Sequence, residues 1–142
     1  MNKLIERKEY LAKLNAFKDK DLIKVVSGLR RSGKSTLLEL FRLSLEKAGI
    51  QPQSIHYYNF ELPELYFNKT WDQLYFEIKD KLTEGKMNYI FLDEVQNIHE
   101  FEKLVDGLYA SKNTDLYITG SNAFLLSVPA QSAGPSMWAT PD

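Results

Sequence analysis

The spacing of hydrophobic positions changes several times along the chain, and each change marks an element. Leu4, Tyr10, Leu11, Leu14 and Phe17 recur among charges as in a moderately amphipathic helix, which Asp19 to Asp21 interrupts. A short apolar run from Leu22 to Val26, with Lys24 inside it, predicts a first strand leading directly into a glycine-bounded segment, Gly28 to Ser35. From Ser35 to about Ala48, Leu37, Leu38, Leu40, Phe41 and Leu45 predict a helix apolar on most sides and therefore largely buried, with Gly49 as its stop. Ile55 to Phe60 predicts an aromatic-rich second strand, and Pro63 begins a loop. Trp71, Leu74, Tyr75, Ile78 and Leu82 follow at i, i+3, i+4, i+7 and i+11, the clearest helical period in the chain, ended by Gly85. The run Tyr89 to Leu92, closed by Asp93 and Glu94, predicts a strand buried on both faces with acids at its carboxyl end. Phe101, Leu104, Val105 and Leu108 define another amphipathic helix, and Leu116 to Thr119 a fourth strand before Gly120-Ser121-Asn122. Strands alternating with helices imply an α/β domain, a parallel sheet of about four strands flanked by helices.

From Val128 to Asp142 the pattern stops. Three of the five prolines stand there among Ala, Ser and Gly with almost no charge, a composition that predicts disorder. The domain expected is therefore 1–127, with 128–142 as a tail.

Composition narrows the chemistry. A length of 142 residues with 44% apolar content suits one domain with one buried core. The formal charge of -1 offers no overall attraction to nucleic acid or anionic lipid, although residues 1–35 hold ten Lys/Arg against four Asp/Glu. Without cysteine there are no disulfides, thiol nucleophiles or Cys-ligated zinc. No apolar stretch approaches the roughly 20 residues that span a bilayer, so the expectation is a soluble, cytoplasmic protein without a membrane partner. His56 and His99 lack the close spacing with other ligands that a metal site shows and read as surface or packing residues.

Gly28-Leu29-Arg30-Arg31-Ser32-Gly33-Lys34-Ser35 satisfies the Walker A pattern between a strand and a helix, the context its mechanism requires. Four specified positions would arise by chance in on the order of one in two hundred chains of this length at average residue usage. Gly28 and Gly33 permit a close backbone approach, so that successive N–H groups can wrap the β-phosphate of a nucleotide, and the helix dipole adds to the attraction. In this reading Ser32 supplies a loop amide, Lys34 reaches the β- and γ-phosphates, the Ser35 hydroxyl ligates Mg²⁺ and Thr36 meets the α-phosphate. Arg30 and Arg31 read either as contacts to the nucleotide or a neighbouring subunit, or as a solvated basic patch.

Tyr89 to Glu94 has the form of a Walker B strand. Asp93 would hold Mg²⁺ through its water shell, and Glu94 would orient and deprotonate the water that attacks the γ-phosphate. Ser121 and Asn122, after the fourth strand, suit a polar sensor of the γ-phosphate, and equally a turn and helix cap. Asn59, at the end of the second strand, could hold Glu94 in an inactive pose or satisfy loop backbone.

The run GLRRSGKSTLL, the strand with YYNFE, the block YIFLDEVQNI and the turn ITGSNAFLLS together resemble a family of bacterial and archaeal AAA-type ATPases over about residues 1–127. In that family the core is typically followed by a C-terminal domain resembling a restriction-endonuclease fold. The resemblance implies a three-layer P-loop NTPase of the additional-strand class with strand order 5-1-4-3-2, and ATP binding and hydrolysis with Mg²⁺ by the residues named. It does not supply the client, expected to be a protein or nucleic acid engaged through the missing C-terminal part. After Ser127 the family's Gly-Arg pair, fifth strand and helical lid are not met, so the expectation is a truncated or frameshifted chain whose fifth strand is missing, whose first strand is a bare edge and whose turnover is weak. Two other functions are compatible with the motifs, a nucleotide-dependent switch without turnover and a small-molecule kinase.

Overall fold

The computed structural model describes residues 12, 15, 16, 18, 23–26, 31–120 and 136–139, with backbone alone for 31–36, 65 and 136–139. In the opening segment Ala12, Asn15 and Ala16 are helical and exposed. The parallel strands β1 (Ile23–Val26), β2 (Ile55–Asn59), β3 (Asn88–Asp93), β4 (Thr114–Thr119) and β5 (Ser136–Ala139) form one sheet in the order β2-β3-β4-β1-β5. This is the order expected for the additional-strand class, with β4 inserted between β1 and β3.

The fifth strand corrects an expectation. Ser136 to Ala139 pairs with Ile23 to Val26 along its whole length, so β1 is not an edge and part of the segment expected to be disordered is strand. Composition concealed it because the stretch around it is rich in proline and small residues, while what stabilises such a strand is a ladder to a partner distant in the chain. Positions 128–135 and 140–142 of that tail lie outside the described residues.

Three helices cover the sheet: α1 (Arg31–Lys47), α2 (Trp71–Asp80) and α3 (Phe101–Tyr109). α1 starts at Arg31, four residues before the Ser35 that periodicity suggested, so the second half of the glycine-bounded motif already has helical backbone. It buries Leu37, Leu38, Phe41 and Leu45 against Val26, Tyr89, Phe91 and Tyr117, and leaves Leu43 on an exposed side. On the opposite face Leu74 and Ile78 of α2 and Phe101, Leu104, Val105 and Leu108 of α3 pack on Ile23, Val25, Ile90, Leu92, Leu116 and Ile118. The Gln73 side chain caps α2 by accepting the Thr70 N–H at 2.9 Å.

Gly107 lets α3 approach α2 closely, since a Cβ there would stand 3.0 Å from Tyr75 Cε1. Gly107→Leu is expected to lose about 1–3 kcal/mol of stability through overpacking. Thermal denaturation checks this, and an unchanged midpoint would mean that the close approach is dispensable.

Side chains two residues apart on a strand share a face, and this periodicity arranges the α1 side of the sheet in rows. One row is aromatic: Tyr57, Phe91 and Tyr117 are register partners, with ring centroids 6.0 Å apart for the first pair and 5.0 Å for the second. Lys24 continues that row on β1, with Nζ 5.3 Å from the centre of the Tyr117 ring. Two residues further along each strand lie Asn59, Asp93, Thr119 and Val26, at the carboxyl ends. The fold therefore delivers three polar side chains, Asn59, Asp93 and Thr119, to one edge of the sheet, directly after the aromatic row.

Candidate functional site

The carboxyl edge of an open α/β sheet is where ligands of such folds sit, because strand ends and helix starts converge there. Here β1 ends at Val26 and α1 begins at Arg31, so the intervening positions form the strand-to-helix connection that carries the glycine motif. Gly28 and Arg30 lie in that connection, outside the described residues, as do Ser121 and Asn122 after β4. Arg31, Ser32, Gly33, Lys34, Ser35 and Thr36 form the first turns of α1. The first four N–H groups of an α-helix lack an intrahelical acceptor and sit at the positive end of its dipole, which makes the start of α1 suited to an anion.

Asp93 is fully buried at the end of β3. Its Oδ1 accepts a hydrogen bond of 2.6 Å from Thr119 Oγ1, and its Oδ2 one of 2.8 Å from the Tyr57 hydroxyl, so donors from both neighbouring strands orient the carboxylate. Both of these donors are neutral hydroxyls. A single oriented carboxylate fits Mg²⁺, a hard cation that keeps much of its water shell and is commonly held by one or two carboxylates together with substrate phosphates. Among the described residues no group of three or more His, Asp or Glu gathers as an all-protein metal cage.

Glu94 follows in a left-handed backbone conformation, φ 58 and ψ 49, which is uncommon outside glycine and recurs at functional positions. Its N–H donates to Thr119 Oγ1 at 2.8 Å, and its Oε1 accepts from Gln96 Nε2 at 2.8 Å. The chain then enters a tight turn, Val95–Asn97, tied to the end of β2 by an Asn97 Nδ2 to Phe60 carbonyl hydrogen bond of 2.9 Å. Together these contacts hold a second buried acid at the end of the strand, directly after the first.

Of the two readings for Asn59, the geometry favours the loop. Its Oδ1 accepts the Glu61 N–H at 3.0 Å, closing the turn after β2, while the amide on Glu94 comes from Gln96. Sequence reasoning missed Thr119, Tyr57 and Gln96. Thr119 was legible only as a strand end, Tyr57 only as an aromatic strand position, and Gln96 had no signal beyond standing two residues after Glu94. His56 is a packing residue, bonded through Nε2 to Asn88 Oδ1 at 2.9 Å, and His99 is a surface residue.

A wide surface groove beside α2, lined by Phe67, Lys69, Gln73, Phe76 and Asp80, shares no residue with this edge. No helix among the described residues is long and apolar enough to cross a membrane.

Residues 20–136 match the family described as AAA domain. The chain is also 44% identical over 125 residues to an uncharacterized protein of Haemophilus influenzae, an alignment covering 87% of this chain and 31% of that protein. It thus spans about a third of that relative's length. In fold it is similar to a chain in the structure of Drosophila ORC bound to AT-rich DNA and Cdc6, with a TM-score of 0.68 at 13% identity over 97% of this chain and 55% of that one.

Proposed function

The chain belongs to the AAA domain family, and from that membership we propose that it binds ATP with Mg²⁺ at the carboxyl edge of its sheet and hydrolyses the terminal phosphoanhydride bond. The observation that carries the reading is the placement of Asp93 and Glu94 one strand away from β1, with the start of α1 on the same side. Backbone amides from Gly28 to Gly33 cradle the β-phosphate, Lys34 bridges the β- and γ-phosphates, and Thr36 meets the α-phosphate. Ser35 and Asp93 would hold Mg²⁺, which would supply positive charge to the polyphosphate. Glu94 orients a water and takes its proton as the oxygen attacks the γ-phosphorus and ADP leaves. Ser121 and Asn122, which follow β4 in sequence, contact the γ-phosphate, and Arg30 and Arg31 supply positive charge to the nucleotide.

The DNA in the ORC structure belongs to that assembly, and at 13% identity the likeness extends to the fold alone. We assign nucleotide as the ligand of this chain, and a protein or nucleic-acid client to the part of the longer relative beyond the matched region.

A second reading, a switch that binds ATP without turning it over, is favoured by the Gln96 amide on Glu94. One assay separates them: ATP affinity with and without Mg²⁺, followed by phosphate release from the same sample. Glu94→Gln is expected to keep ATP affinity and to lower turnover about 10²- to 10⁴-fold. Turnover equal to wild type would remove Glu94 from its role, and binding with no turnover in wild type would select the switch.

A further inference from the structure

Thr119 stands at the tip of β4, fully buried, in register with Val26 at the end of β1 and beside the end of β3. Its hydroxyl makes two hydrogen bonds at once, donating to Asp93 Oδ1 at 2.6 Å and accepting the Glu94 N–H at 2.8 Å. A hydroxyl has one proton to give. Because the Glu94 N–H can only donate, that proton is committed to Asp93, and the orientation of the group is determined from both sides. The same oxygen thereby links the carboxylate of one acid to the backbone of the next, at the point where Glu94 enters its left-handed conformation.

From this geometry we infer that Thr119 is a positioning residue that sets both acids together, aiming the Asp93 carboxylate toward Mg²⁺ and holding the Glu94 backbone in the pose that presents its side chain. The inference rests on the ATP reading and deepens it. It predicts separable effects, since the phosphate loop is built by other residues. A carboxylate that has lost one of its orienting donors holds the metal less well, and an N–H stripped of its acceptor in a buried place lets the left-handed turn relax.

The test compares wild type with Thr119→Val, which keeps shape and removes the hydroxyl, and Thr119→Ser, which keeps the hydroxyl. ATP affinity is measured in Mg²⁺ and in EDTA by calorimetry, and phosphate release is followed at saturating Mg-ATP. Thr119→Val is expected to lower the Mg²⁺-dependent gain in affinity and the turnover by about 10- to 100-fold each, with affinity in EDTA near that of wild type. Thr119→Ser is expected to restore both. A merely structural role would move neither the ratio of the two affinities nor the serine rescue. If Thr119→Val does not fold, Thr119→Ala takes its place with the same expectation. A folded variant lacking the hydroxyl that keeps the wild-type ratio overturns the inference while leaving ATP binding intact. Wild-type protein that does not bind ATP, or gains nothing from Mg²⁺, overturns the underlying reading and the inference with it.

Discussion

Lys34→Ala is expected to abolish detectable ATP binding in a calorimetric titration while leaving the far-ultraviolet circular dichroism and thermal midpoint close to wild type. The ammonium group is assigned to two phosphates, and hydrogen bonds to charged groups contribute about 1.5–3 kcal/mol each, so their joint loss weakens binding by about two to four orders of magnitude. Stability is spared for a different reason. Position 34 lies in the first turns of α1, where alanine is the best helix former, and the helix is anchored further along by Leu37, Leu38, Phe41 and Leu45. Undiminished binding in a folded Lys34→Ala protein would defeat the phosphate-loop assignment.

The second large effect concerns stability, not ligand. Lys24 on β1 and Asp115 on β4 form an ion pair of 2.5 Å in the interior of the sheet, both side chains essentially inaccessible, and the other Asp115 oxygen accepts the Tyr117 hydroxyl at 2.8 Å. Removing one member leaves a buried charge without its counterpart, which costs about 3–5 kcal/mol, whereas replacing a whole pair by apolar residues of similar volume is often neutral or better. Asp115→Ala is therefore expected to lose that amount in denaturant unfolding, against a total of about 5–15 kcal/mol for an ordinary domain. Lys24→Met combined with Asp115→Leu should recover most of it. A single variant that loses less than about 1 kcal/mol would show that solvent reaches the pair, contrary to its burial.

The same pair shows what sequence patterns can and cannot convey. Lys24 stood visibly inside an apolar run, but its partner lies 91 residues away, and Asp115 fell outside the strand expected from Leu116 because an isolated acid argues against a buried strand. β3 was legible for the opposite reason: four large apolar residues need no distant partner to declare burial, and only its ends, Asn88 and Asp93, had to be added. The strand order agreed with the motif-level expectation, while β5 did not announce itself, since Ser136 to Ala139 owes its conformation to the ladder with β1. Asp93 and Glu94 could be named from their position after an apolar run. Thr119, Tyr57 and Gln96 could not, because their contacts depend on register and on one left-handed residue, neither of which leaves a local signature.

The place of β1 in the sheet also has a bearing on how the protein assembles. Its two neighbours, β4 and β5, both arrive late in the chain, with Ile23 meeting Ser136 and Val26 meeting Thr119. Closing such wide loops is entropically slow, and local hairpins cannot substitute for them. The strand that leads into the phosphate loop is therefore expected to gain its partners late in folding, so that competence to grip a nucleotide depends on contacts distant in the chain, and ATP should report on a sheet that has closed around β1.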